Sequence, residues 1–290
     1  MKLGKLGVWS GFDHLTAAES AAFAKRIEQW GYATVWVPEG LGRDSIEHSG
    51  WLLANTSALN VATGISNIYG RDPMMMKAGQ MGLNELSGGR FLLGLGVSHG
   101  PIVAGVRGHD YRKPIETMRS YLAAMKAAPF KAPTPAETPK TVVAALGPKM
   151  LELSRDQADG AHPYNVSPAH TAMARKILGP DKLLCVEQMI LLEPDADRAR
   201  EAARKTLALY LGLPNYVNNW LRMGFTQDEV TNGGADRLID DTVAWGDEAA
   251  IVKRIEQHWE AGADHVCIQA IGTDRAAGEK LLASLARLNR

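Results

Sequence analysis

LNVATGISNIYGRDPMMMKAGQMGLNELSGGRFLLGLGVSHG, residues 59–100, reads as one complete unit of strand, helix and strand, and it decides the fold. LNVATGIS is short and contains β-branched side chains, so it is expected to be extended. Asp72-Pro73 supplies a capping carboxylate and a first-turn proline, which together open a helix running to Leu86. Gly88-Gly89 stops that helix, and RFLLGLGV returns as a strand. Two strands joined by a crossover helix must pair in parallel.

The same alternation continues in both directions. Upstream lie a strand at residues 5–9, a helix over 17–30 ending at Gly31, the strand ATVWVPE closed by Pro38, and a helix over 45–56. Downstream, a helix over 114–127 precedes PFKAPTPAETPK, an exposed loop, and TVVAAL is the fifth strand. A helix over 148–157 and a short strand over 160–163 follow. LLCVEQMILL is the seventh strand, apolar on both faces as a buried parallel strand must be. A helical excursion over about 195–245, centred on GLPNYVNNWLRMGF, is expected to lie over one end of the sheet. A helix over 247–261, the eighth strand HVCIQAI and a helix over 274–288 complete the chain. Eight such strands, with no longer repeat and no linker, predict one (β/α)8 TIM-barrel domain over residues 1–290 with a helical insertion after strand 7.

The 32 basic and 32 acidic residues cancel and form no block of one sign, so no broad nucleic-acid surface is expected. Cys185 and Cys267 each sit in apolar runs and read as buried thiols. No apolar span of membrane length and no cleavable leader pattern is seen, so the expectation is a cytoplasmic protein with no membrane partner.

In such a barrel, function gathers where the strands end at their carboxyl side. The polar residues there are Ser10, Asp13, His14, Glu39, Ser66, Asn67, Ser98, His99, Gly147, Lys149, Tyr164, Asn165 and Gln269. The sequence has no HExxH, CxxC or clustered carboxylate and histidine motif, so no dedicated metal site is expected, and no GxSxG elbow marks a serine hydrolase. The glycines at 94 and 96 signal close backbone approach, and Gly147-Pro148-Lys149-Met150 opens a helix whose free amides suit a phosphate.

ATGISNIYGRDP, ELSGGRFLLGLGVS and ALGPKMLELSRDQADG together resemble the luciferase-like monooxygenase superfamily, in particular its coenzyme F420-dependent branch. The likeness runs from the first strand to the last. It implies the (β/α)8 barrel, a deazaflavin carrying hydride, and a homodimer. By position it implies a non-proline cis peptide at Gly64-Ile65 forming a bulge beneath the cofactor ring. It also implies Ser66 and Asn67 along the ring or ribityl chain, Gly96 and Val97 approaching from the next strand, and Gly147, Pro148, Lys149 and Met150 as the phosphate cradle. Deazaflavin-dependent sugar-phosphate dehydrogenases carry an acid and histidine pair after the second strand and a glutamate after the fourth. This chain has Glu39-Gly40 and His99 there, so their substrate is not carried over.

His99 is the first candidate for acid or base, because an imidazole titrates near neutrality. Glu39 would meet the ring edge or orient substrate, or else pair with Arg43. Met74 to Met76 with Trp9, Trp36 and Trp51 would shape an apolar pocket or serve simply as core. The expected activity is hydride exchange between coenzyme F420 and a small organic substrate. The alternatives are an FMN-dependent monooxygenase on the same scaffold and a deazaflavin carrier without turnover.

Overall fold

The computed structural model describes residues 1–289. Strand β1 (Leu6–Trp9) leads to helix α1 (Ala17–Trp30), which Thr16 and Glu19 open with a reciprocal capping box and Gly31 closes at φ 97°. β2 (Thr34–Val37) and α2 (Ser45–Ala54) follow. The expected third strand is divided into β3 (Asn60–Thr63) and β4 (Ser66–Asn67), after which Asp72 caps α3 (Pro73–Ser87). β5 (Phe91–Gly96), α4 (Pro114–Ala127), β6 (Thr141–Val143), α5 (Pro148–Gln157) and β7 (Gly160–Ala161) continue the alternation. Then come α6 (Pro168–Leu178) and the long β8 (Leu183–Leu192). The excursion contains α7 (Ala196–Leu211), α8 (Pro214–Arg222) and α9 (Asp236–Thr242), followed by β9 (Val243–Gly246). α10 (Glu248–Glu260), β10 (His265–Ala270) and α11 (Arg275–Leu285) complete the barrel.

Every strand pairing is parallel, and β10 pairs with both β8 and β1, which closes the barrel. Its eight staves are β1, β2, β3 with its continuation β4, β5, β6, β7, β8 and β10. Inward positions form one cluster of Trp36, Ala62, Leu92, Val142, Cys185 and Cys267, where the small Ala62 lies directly beside the large Trp36. Alternate positions such as Val35, Val61 and Leu93 face the helices in a second, larger cluster. Among the described residues no helix is long and apolar enough to cross a membrane.

Three elements differ from the sequence reading. Helix α6, which that reading passes over, buries His170 and Thr171 on the face where apolar residues would have marked its period. Each finds a partner: His170 Nε2 donates to Leu146 O, and Thr171 Oγ1 pairs with His258 Nδ1, each at 2.8 Å, while His170 Nδ1 is left without one. Strand β9, read as part of the helical excursion, takes over the edge of β8 that β7 leaves free, pairing at Met189 to Leu192 where β7 stops at Leu184. β8 is therefore both a barrel stave and the support of the insertion, which accounts for its burial on both faces. Finally, residues 101–106 form a single π-helical segment just beyond His99.

Candidate active site

A cavity of about 710 Å³ opens at the carboxyl ends of the strands. Its walls come from residues at or just past the ends of β1, β2, β3, β5, β6 and β7, and its roof comes from α7 and α8. The bare floor is built by two features. Ala62 pairs with Leu92 and Ser66 with Leu95, so four steps on one strand match three on its neighbour and one residue bulges. The Gly64-Ile65 peptide within that bulge is cis.

Glycines make the close contact to β5 possible. A Cβ on Gly94 would stand 1.9 Å from Thr63 O, and one on Gly96 would stand 2.4 Å from Ile65 Cδ1. Thr63 locks the approach, since its hydroxyl donates to Gly94 O and accepts from Gly94 N, both at 2.8 Å. Trp9 Nε1 donates to Gly64 O at 3.2 Å from the opposite wall.

Gly64, Ile65, Gly96, Val97, His99, Glu39, Gly147, Pro148, Lys149 and Met150 all line this one cavity. Ser66 and Asn67 do not. Both are buried beneath the floor, where the Ser66 and Ser45 hydroxyls meet at 2.7 Å and Asn67 Oδ1 accepts from the Tyr69 amide. They lie outside the lining of the cavity in which the resemblance expects them. Glu39 pairs with Arg71 at 2.9 Å and accepts from Ser45 Oγ at 2.5 Å, whereas Arg43 reaches Leu15 O instead. Arg71 also bridges to Asp44. With Oε2 committed twice, Glu39 acts as a fixed wall more than as a mobile acid. Met74, Met75 and Trp51 are exposed outside the cavity, Met76 and Trp36 are core, and Trp9 alone of that group lines the site.

At one end, the first turn of α5 begins at Gly147 with no side chain capping it. Lys149 is exposed beside it. The sequence reading missed Arg222 of α8, whose guanidinium lies 3.6–3.7 Å from the Cβ position of Gly147 and is steadied by Asn219 Oδ1 at 3.2 Å. Asn215, Asn218 and Arg222 all line the cavity. Their spacing of three and four residues within the amphipathic α8 is the signal that would have identified them.

Near the centre, His99 leaves Nδ1 buried without a partner and stands 5.7 Å, ring to ring, from Tyr216. Burial lowers the His99 pKa from the ordinary imidazole value, while Asn215 pulls the other way. Tyr164 donates to Gln269 Oε1 at 2.8 Å, so the 2.8 Å contact between hydroxyls obliges Tyr210 to donate to Tyr164. Outside the cavity lining, Glu187 is fully buried with one carboxylate oxygen on the Asn165 amide and the other unpartnered. Burial raises its pKa to about 8 and keeps it protonated at neutral pH.

The family model described as luciferase-like monooxygenase matches residues 4–265. A Mycobacterium tuberculosis protein provisionally named a coenzyme F420-dependent oxidoreductase is 26% identical over 94% of this chain and 96% of its own length. The 5,10-methylenetetrahydromethanopterin reductase of Methanolobus tindarius is 28% identical, with 68% of this chain and 69% of that protein covered. Among solved structures, an F420-dependent secondary alcohol dehydrogenase bound to an F420-acetone adduct superposes with a TM-score of 0.79. Its identity is 16%, with both chains covered in full, and it shares the fold.

Proposed function

The chain belongs to the luciferase-like monooxygenase family, and from that footing we propose that it is an oxidoreductase exchanging a hydride between coenzyme F420 and a small organic substrate. The observation that carries this reading is the pairing of a side-chain-free floor with an anion cradle at one end of the same cavity. Gly64 and Gly96 present bare backbone to the cavity, where the flat ring would lie, and the Cβ that each lacks would strike Trp9, His162 or Ile65. Uncapped α5, Lys149 and Arg222 suit the phosphate that such a ring would carry. When bound, coenzyme F420 supplies the two-electron hydride chemistry.

The remaining work falls to the chain's own groups. The roof from α7 and α8 excludes water, and Tyr210 and Tyr216 present an apolar aromatic surface to the substrate. His99, which lines the cavity, is the proton-handling residue. Because burial lowers its pKa, the imidazole is neutral at neutral pH and suited to take the O–H proton of a substrate as its C–H hydride departs. Lys149 and Arg222, the Lys and Arg side chains among the lining residues, stand at the α5 end, so the substrate itself is expected to be uncharged. The homodimer implied by the resemblance is part of the same proposal.

Titration of cofactor-free protein with coenzyme F420 and with FMN, followed by fluorescence, tests the cofactor. Saturable F420 binding at lower concentration than FMN supports the reading, and the reverse order moves the protein to the flavin-dependent side of the family. A substrate-dependent change in deazaflavin absorbance across a panel of neutral alcohols, ketones and enones then separates an enzyme from a carrier.

A further inference from the structure

His162 follows β7 and lines the cavity while being only 1% exposed. Its Nδ1 lies 2.8 Å from Cys185 O, and since a carbonyl only accepts, the ring proton sits on Nδ1. Nε2 is therefore a bare lone pair, and it is buried without a partner. It faces the floor, for a Cβ on Gly64 would stand 3.1 Å from it. The ring has no freedom to turn away. It stacks on Trp36 with centroids 4.3 Å apart and planes at 15°, and Trp36 is itself held by donating to His265 Nε2 at 2.9 Å, whose other nitrogen meets Gly4 O at 2.8 Å. Burial lowers the His162 pKa to about 4, with His265 adding to the effect and the Cys185 carbonyl opposing it, so no proton fills the position at neutral pH.

A buried acceptor left unpaired is costly and is normally satisfied by a partner. We propose that His162 Nε2 is a specificity-determining acceptor of this site, requiring the bound ring to present an N–H or O–H donor beside Gly64. The inference rests on the function proposed above and adds the polarity that the floor demands. An 8-hydroxy-5-deazaflavin ring has two such donors, the pyrimidine N–H and the ring hydroxyl. A ligand offering only acceptors or methyl groups at that point leaves the lone pair unpaired and binds poorly.

The test is a cycle on both partners. Wild-type protein, His162→Phe and His162→Gln are titrated by fluorescence with 8-hydroxy-5-deazaflavin, its N3-methyl derivative and its 8-O-methyl derivative. Melting of the ligand-free proteins checks folding. In wild type, one of the two methylations is expected to weaken binding about tenfold while the other is tolerated. In His162→Phe the parent ring falls to the same weaker level and that methylation no longer matters, whereas His162→Gln, which retains an acceptor, restores part of the difference. If wild type tolerates both methylations, or if His162→Phe weakens all three ligands by one common factor, the assignment is overturned while the cofactor reading stands. Wild type that does not bind the parent ring overturns the cofactor reading itself, and this one with it. Should His162→Phe fail to fold, the wild-type and His162→Gln arms still decide.

Discussion

Replacing Lys149 and Arg222 with alanine tests whether the α5 end of the cavity holds the phosphate of the cofactor. Arg222 approaches within 3.6–3.7 Å of the Gly147 Cβ position and is oriented by Asn219, so its fork is already aimed across the uncapped helix start. Lys149 is exposed and makes no ion pair among the described residues, so solvent screens it more fully. Exposed ion pairs of this kind change affinity by roughly three- to fivefold each, with the larger value assigned to the better-ordered Arg222. The double variant is thus expected to weaken coenzyme F420 binding about 15-fold. The loss should shrink as salt is raised from about 20 to 200 mM, because the Debye length falls to around 10 Å at 0.1 M. Fluorescence titration at the two salt concentrations measures both quantities. The phosphate-free 8-hydroxy-5-deazaflavin ring is the control, and its affinity should change less than twofold. An equal loss for the ring with and without phosphate, or no loss in the double variant, refutes the cradle.

His99→Ala should lower turnover about a hundredfold or more with little change in cofactor affinity. In wild type the acidic limb of the pH–rate profile should lie below the ordinary imidazole range, since burial lowers the His99 pKa, and the variant should lose that limb. For Glu187, the folded pKa of about 8 exceeds the ordinary carboxyl value of 4.5, so between those values the folded protein keeps a proton that the unfolded chain has released. Stability contributed by the protonated form therefore falls as pH rises through that window, by about 1.4 kcal/mol per unit at most. Glu187→Gln should flatten this slope in urea titrations at several pH values, and identical slopes would count against the buried, protonated acid. Gly94→Ala places a Cβ 1.9 Å from Thr63 O and should cost about 1–3 kcal/mol or more, whereas Gly82→Ala within α3 meets nothing within 4 Å and should stabilise by about 0.5–1 kcal/mol. Urea unfolding of the pair checks both signs.

The barrel was legible because its signals are local. Asp72-Pro73, the glycines after α1 and α3, and the proline at 148 mark helix ends through their own backbone and hydrogen-bonding chemistry, and the helices they bound lie where expected. The cis peptide at Gly64-Ile65 also stands where the resemblance implies it. Helix α6 was hidden because its inner face carries His170 and Thr171, whose burial makes sense only once Leu146 O and His258 are brought to them. Strand β9 is four residues long and becomes a strand by pairing with β8, a partner more than fifty positions away.

The sequence by itself determined the alternation of strands and helices, and with it the rim on which His99, the glycine floor and the Gly147 helix start must meet. Those features depend on neighbours a few residues apart, where chain geometry admits few choices. Which partner each polar group takes was decided only by the tertiary structure. Glu39 is held by Arg71 and not Arg43, Ser66 and Asn67 are turned under the floor, Arg222 arrives from the insertion, and His162 is left with a bare lone pair facing the cavity. Such pairings join residues far apart along the chain, and they depend on distances and burial that exist only after the barrel closes.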